Sequence, residues 1–465
     1  MQTLRSFPTA ARWLVLLATA ACVLVIGIRR PLYDWDIIGY VASAYQLDGH
    51  SGQDLLGRTF KDIRSDVDAE TFRTLTEGGD QRAVRDYRKT VASDPVALSQ
   101  QIPFYSIRVI YVGLIRAVGR LGPSYSQAST LVSAVSGALA VLVLGRILVV
   151  AGVHVALLPL VALASGFAEL ARSSAPDALA LFFALLCALA LLKGSAMSLV
   201  FAAVLPATRT DFLLVSLLVL CVEFVRGRKV PALISMAAAF VVYVVVNKSS
   251  GNYGWTTLIT LSEVSLLAYP AELTHGPSVP EYVKIYAFGL FNFVSSIQFM
   301  IYLLAAYPLY FQLKKNGARL SLGFGKFLLK MGRRDGGLVA LYFVPVLYAV
   351  GHIVLFPHYE PRYFVFSVTL VSVWILSRAR SQVFRRPSQT RKVETAAQAE
   401  GVDVGLGAAG VGPRMRTRPV REPTPTAWLS NRVQFGRRST RLTATGSLQP
   451  GASGLSPPPL GRGAA

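Results

Sequence analysis

An all-α polytopic integral membrane protein of about ten transmembrane helices is what this 465-residue chain predicts, and three observations carry that reading. Hydrophobic residues make up 53% of the chain and charged residues only 15%, with a mean hydropathy of +0.47; soluble proteins carry about 25% charged residues. Ten apolar runs recur, near residues 13–28, 127–145, 147–168, 178–192, 194–208, 212–225, 230–246, 285–311, 338–356 and 363–377. Several are nearer 15 residues than the roughly 20 of a lone span, a length tolerable where helices are surrounded by other helices. Charge, finally, segregates between the two sides. With the amino terminus inside, 29 of the 47 Lys and Arg but only 6 of the 25 Asp and Glu face the cytoplasm, as the positive-inside bias requires. The net charge of +22 thus follows from topology, and no nucleic-acid partner is needed to explain it.

The first run follows Arg5 and Arg12 and ends at Arg29-Arg30-Pro31. It reads as an uncleaved anchor, because the apolar stretch runs on past the weak cleavage-like Thr19-Ala20-Ala21-Cys22. Outer loop 1 comes next, at about 29–125. Ten acids and eight bases lie between Asp48 and Asp94, a density that hydrocarbon does not tolerate. Its distal part, Ile102 to Leu121, is apolar apart from Arg108, Arg116 and Arg120. At 100° per residue these share one helix face, so the segment is expected to lie flat in the interface as one amphipathic helix. Residues 1–380 form the membrane domain on this reading. From 386 to 465 the chain is rich in Pro, Gly, Ser, Thr and Arg without hydrophobic period, so a disordered, basic cytoplasmic tail is expected. The three cysteines, Cys22, Cys187 and Cys221, all lie in apolar runs and offer neither a disulfide framework nor a zinc site.

Polar residues gather at the outer ends of the apolar runs. Asp34 and Asp36 follow the first helix beside Tyr33, Trp35 and Tyr40; Arg172 and Asp177 occupy the second outer turn; Arg209 and Asp211 sit between two runs with no loop to solvate them; and Glu360, Arg362 and Tyr363 lie where the last run begins. Each group has an ordinary structural explanation, such as a helix cap, an interfacial aromatic belt or a mutual ion pair. Together they place carboxylates and guanidiniums at one depth. Chemistry that wants both signs at a membrane surface is transfer of a group from a lipid phosphate: a carboxylate takes the proton from an attacking hydroxyl while cations hold the departing phosphate. A divalent ion, Mg or Mn, on Asp34, Asp36 and Asp177 is one further expectation of such a carboxylate set.

The layout resembles the GT-C superfamily of polyprenyl-phosphate-dependent glycosyltransferases, in particular the protein O-mannosyltransferases and the aminoarabinose transferases. The similarity spans roughly residues 1 to 380. It rests on Asp36…Tyr40 after helix 1, an amphipathic juxtamembrane segment at Ile102 to Leu121, Gly122-Pro123-Ser124 before helix 2, Asp177 after helix 3, Arg209-Thr210-Asp211, and the late Arg362-Tyr363. Asp34-Trp35-Asp36 stands where the mannosyltransferases have an adjacent Asp-Glu pair, so either acid could be the base. The resemblance implies inverting transfer of a sugar from a polyprenyl-phosphate donor, held among membrane lipid, to an unidentified acceptor hydroxyl. It places the site on the outer face of a bacterial inner membrane, with both termini cytoplasmic. Asp36 and Asp34 would be the catalytic carboxylates. Asp177, Arg209, Asp211, Arg172, Glu360, Arg362 and Tyr363 would bind substrate, with Arg209 or Arg362 as phosphate clamp. A transporter or lipid flippase, and a catalytically silent scaffold of the same fold, stand as the alternatives, since charged residues at membrane depth also mark substrate paths.

Overall fold

A computed structural model describes residues 8–78, 81–315 and 336–383. The expected disordered tail from 386 onward and most of the basic cluster from Lys314 to Arg334 lie outside the described residues. Among the described residues every regular element is helical, and the single β-bridge joins Leu32 to Ser173.

Helix α1 (Thr9–Arg29) stops where Pro31 disfavours helical backbone at Arg30, whose ψ is 57°. Outer loop 1 then folds into short helices: α2 (Asp36–Leu47), α3 (Gly52–Asp66), α4 (Ala69–Glu77), α5 (Arg82–Ser93), α6 (Pro95–Gln101), α7 (Pro103–Ser106) and α8 (Val109–Gly119). The loop has a core of its own, in which Ile37, Ile38, Val41, Leu55, Ile63, Val91 and Leu98 pack together. It is also tied to the start of α9 (Tyr125–Val150). The Asp62 carboxylate accepts the backbone N–H groups of Tyr125 and Ser126 at 3.0 Å each and the Tyr45 hydroxyl at 2.8 Å. A carboxylate there satisfies the unpaired donors of a helix N-terminus.

After α9 come α10 (Leu158–Ala164), α11 (Phe167–Arg172), α12 (Asp177–Leu192), α13 (Met197–Thr208), α14 (Leu213–Val225) and α15 (Lys229–Ser249). A segment of short turns, including α16 (Trp255–Ile259), leads to α17 (Val279–Val294), α18 (Ile297–Lys315), α19 (Gly336–Leu355) and α20 (Pro361–Val383). Small residues let the membrane helices approach closely, as interfaces between such helices require. A Cβ on Gly27 of α1 would stand 2.7 Å from that of Ala134 on α9, and one on Gly137 would stand 2.8 Å from that of Ala171.

Among the described residues four helices are long and apolar enough to cross a membrane, within Thr9–Arg29, Tyr125–Val150, Lys229–Ser249 and Pro361–Ala379. The number rises to six if the bent pairs Pro95–Ser106 with Val109–Gly119 and Val279–Val294 with Ile297–Pro308 each count as one. Large apolar side chains such as Leu233 and Phe240 on α15 and Phe288 and Phe291 on α17 face outward, as lipid contact demands.

Three sequence boundaries move. The division at Arg146 is absent, because α9 continues through it to Val150; one Arg in an otherwise apolar helix does not interrupt the backbone hydrogen bonds. The run at 285–311 breaks by 68° at Ser295-Ser296. The segment 102–121 is not one flat helix either: α6–α7 and α8 meet at 110°. Its three arginines diverge at the bend. Arg116 and Arg120 pair with Asp48 at 2.6 and 3.3 Å, whereas Arg108, at the bend itself, lines an inner cavity.

Candidate functional site

Four chain segments deliver charge to one place. The bridge between Leu32 and Ser173 lays residues 31–35 beside 173–177, so Asp34 accepts from the hydroxyls of Ser173 and Ser174 at 3.2 and 3.1 Å. Asp36 and Asp177 are the first residues of α2 and α12, where the partial positive charge of a helix N-terminus favours a carboxylate. Arg209 is extended (φ −151°, ψ 128°) between α13 and a 3-10 turn, Thr210–Phe212, that carries Asp211. Arg362 follows Pro361, the residue that starts α20.

The two arginines bind these acids differently. Arg209, only 7% exposed, grips Asp211 with Nε and Nη2 at 3.0 and 2.9 Å and reaches Asp177 with Nη1. Tyr348 and His352 complete the shell of Asp211, with the Tyr348 hydroxyl at 3.1 Å and His352 Nδ1 at 3.7 Å. Arg362 donates through Nη1 to Asp36 at 2.9 Å, and the same nitrogen stands 3.6 Å from Asp34 and 3.8 Å from Asp177, while its Nε lies 2.8 Å from Glu360. Tyr363 supports both guanidiniums on its ring, at 4.7 and 5.4 Å. Five carboxylates therefore share two arginines. Burial pushes the Asp34 carboxyl up to about 7, the charge of Asp36 adds to that rise, and Arg362, Ser174 and Ser173 oppose it.

A cavity of about 560 Å³ opens beside this cluster. Its lining combines polar residues, among them Asp36, Tyr40, Arg108, Arg209, Asp211, Glu360 and Arg362, with apolar ones such as Leu213, Leu214 and Leu217 of α14 and Leu258, Leu355 and Phe356. Asp36, Asp211 and Glu360 thus line the cavity, whereas Asp34 and Asp177 are not among its lining residues. Nearly all the residues singled out in the sequence meet here: Asp34, Asp36, Asp177, Arg209, Asp211, Glu360, Arg362 and Tyr363. Arg172 does not. Its Nε donates to the Arg30 carbonyl at 2.6 Å, where it closes the turn after α1, and it is not among the cavity's lining residues.

No family model, curated protein or solved structure matches this chain.

Magnesium or manganese on Asp34, Asp36 and Asp177 does not fit the arrangement. Among the described residues no group of three or more His, Cys, Asp or Glu could hold a metal ion, and the Arg362 guanidinium occupies the position between the three carboxylates. The residue that the sequence placed elsewhere is Arg108. It lines the cavity, makes no ion pair among the described residues, donates one Nη1 bond to the Phe104 carbonyl, and leaves a buried Nε without a partner. Its sequence signal is a lone Arg in Phe104-Tyr105-Ser106-Ile107-Arg108-Val109-Ile110, the same signal an interfacial helix would give.

Tyr105 closes the wall nearest Asp36, with its hydroxyl 3.5 Å from the carboxylate. Its ring lies so close to α2 that a Cβ on Gly39 would be 2.1–2.4 Å from ring atoms. Gly39→Ala is therefore expected to destabilise the protein by about 1–3 kcal/mol through overpacking, even though alanine is the better helix former by about 1 kcal/mol. Thermal unfolding in detergent checks this. Pairing the change with Tyr105→Ala should recover part of the loss, and an unchanged melting temperature for Gly39→Ala alone would show that the ring has room to move.

Proposed function

We propose that the chain is a GT-C-like membrane glycosyltransferase of about ten helices, in which the shorter apolar helices cross in the company of the long ones. It moves a sugar from a polyprenyl-phosphate carrier to an acceptor hydroxyl at the outer face of a bacterial inner membrane. The observation that carries the reading is one cavity whose lining holds a carboxylate, Asp36, a guanidinium, Arg108, that pairs with no carboxylate among the described residues, and several leucines. A lipid-linked donor needs those three things together: hydrocarbon for its tail, a cation for its phosphate and a base beside the sugar.

Asp36 accepts the proton of the acceptor hydroxyl as its oxygen attacks the anomeric carbon. The bond from that carbon to the carrier phosphate breaks, its electron pair leaves with the phosphate, and the anomeric configuration inverts. Arg108 offers the departing phosphate an unused N–H donor in a site of low dielectric, where such a donor is worth most. Arg209 and Arg362 are engaged by carboxylates, Arg209 by Asp177 and Asp211 and Arg362 by Asp36 and Glu360. They are therefore read as positioning residues in place of the expected phosphate clamp. Arg362 orients Asp36, and Arg209 fixes the turn that carries Asp211.

Deletion of the gene should cause the lipid-linked donor to accumulate, as mass spectrometry of membrane lipids would reveal. The intact chain should clear it. Arg108→Ala should raise the KM for the donor about tenfold or more, roughly the 1.4 kcal/mol within reach of one charged hydrogen bond. Arg108→Lys should recover part of this, because the charge remains without the planar fork. Absence of any accumulating lipid-linked sugar would remove the glycosyltransferase reading, and an unaltered KM in Arg108→Ala would remove the phosphate assignment alone.

A further inference from the structure

Residues 250–278, between α15 and α17, form a strap whose two edges are held by different chemistry. The edge toward outer loop 1 is tied by neutral backbone contacts and a tyrosine. Gln101 Nε2 donates to the carbonyls of Leu267 and Ala268 at 3.0 Å each, Gln100 accepts the Ala271 N–H at 3.0 Å, and the Tyr269 hydroxyl donates to Asp94 at 2.5 Å. Between the edges the strap makes one wall of the cavity with Trp255, Leu258, Leu261 and Ser262. Part of that wall, Thr260–Val264, is π-helical, a backbone form that is rare and often marks functional segments.

The far edge is held by a histidine and a tryptophan. His358, in the short connection between α19 and α20, meets Glu263 of the π-helical turn through Nδ1 at 2.5 Å, and its Nε2 stands 3.9 Å from Glu360. Beyond these the far edge is held by the Trp255 indole N–H, which donates to the Leu355 carbonyl. The charged and titratable groups facing His358 are Glu263 from the strap, Glu360 from its own connection, Arg362 from α20 and His352 from α19; the rings of Phe356 and Tyr363 lie 5.8 and 6.1 Å away. Only the imidazolium carries protons on both nitrogens and so can serve both carboxylates at once.

We propose that His358 is the latch of this strap: protonated, it bridges Glu263 to Glu360 and holds the cavity wall closed, and on losing its proton it lets residues 255–264 open. The direction of its titration agrees. Burial disfavours the charge, but the hydrogen bond to Glu263 and the charges of Glu263 and Glu360 outweigh burial and the repulsion of Arg362, and hold His358 above its usual value. The latch is therefore fully set below the ordinary histidine range and released as pH rises through the raised value. Opening and closing do not depend on what the cavity binds, so the inference stands apart from the glycosyltransferase reading.

Hydrogen–deuterium exchange of the intact protein in lipid nanodiscs, at about pH 6 and about pH 8.5 and corrected for intrinsic chemical exchange, tests the latch. Amides in 255–264 should open about tenfold more at the higher pH, while those of α9 stay unchanged. His358→Gln should bring 255–264 to the open level at both values, and Glu263→Gln should do the same if the histidine variant fails to accumulate. Equal protection of 255–264 at the two pH values in the unaltered protein would overturn the proposal. A pH difference that survives in either variant would do so too.

Discussion

Asp36→Asn is expected to lower sugar transfer by about 10²–10⁴-fold while leaving the donor KM nearly unchanged, since the amide keeps the size and one acceptor oxygen but has no basic oxygen. Asp36 lines the cavity, as do Asp211 and Glu360, and is oriented by Arg362 Nη1 at 2.9 Å. Asp34→Asn should cost much less and act through pH. With its folded value near 7, Asp34 takes up a proton as pH falls through neutrality. Its charge beside Asp36 is then lost, the hold of Arg362 on Asp36 tightens, and that contact competes with the acceptor hydroxyl for the Asp36 carboxylate. Turnover of the unaltered protein should accordingly decline on the acid side of about pH 7. Asp34→Asn should hold the low, acid-side rate with no inflection there. Transfer assays on membranes, normalised to protein amount, separate the cases: full turnover in Asp36→Asn removes it as the base, and an inflection that persists in Asp34→Asn belongs to another group.

The largest effect on stability is expected at Arg209. Its guanidinium is buried and is the partner of Asp211 through two bonds and of Asp177 through a third. Removing one member of a buried ion-paired group leaves charge uncompensated in a poorly solvated place, at about 3–5 kcal/mol. Arg209→Leu should therefore abolish or sharply reduce the folded protein in membranes. Arg209→Lys should fall between, because an ammonium cannot serve Asp211 bidentately and Asp177 at the same time. The loss comes from the abandoned carboxylates. Adding Asp211→Asn to Arg209→Leu should thus recover much of the loss, whereas additive effects of the two changes would mean that the pair contributes little. Arg362→Lys provides a contrast. Its side chain is more exposed, 21% against 7%, so a modest fall in turnover with retained fold is the expected outcome.

Much of the helical architecture was legible along the chain, because helices and their caps are decided within a few turns. Apolar composition marked α1, α12, α15 and α20, and Pro31 marked the end of α1. The charged ends of the apolar runs were legible for the same reason: acids and arginines beside hydrocarbon segments are costly unless they meet a partner. On that ground Asp34, Asp36, Arg172, Asp177, Arg209, Asp211, Glu360, Arg362 and Tyr363 stood out along the chain, and the fold brings all of them but Arg172 to one cluster, although Asp36 and Arg362 stand 326 positions apart. Continuity was harder to read. A single Arg146 looked like a boundary and is an interior residue of α9, while the unbroken run at 285–311 bends by 68°. Helix ends of that kind depend on packing as much as on local preference.

What only the tertiary structure decided is which charges are spent. Arg108, Arg172, Arg209 and Arg362 are alike in sequence, each a lone guanidinium in an apolar or turn setting. Arg172 goes to the Arg30 carbonyl, Arg209 and Arg362 go to carboxylates, and Arg108, beside the cavity, pairs with no carboxylate among the described residues. The field at any one guanidinium is the sum over groups within a few ångströms of it. Those groups come from segments scattered along the chain, so residue type and spacing define the set of available charges, and three-dimensional packing alone determines which of them remains free to meet a ligand.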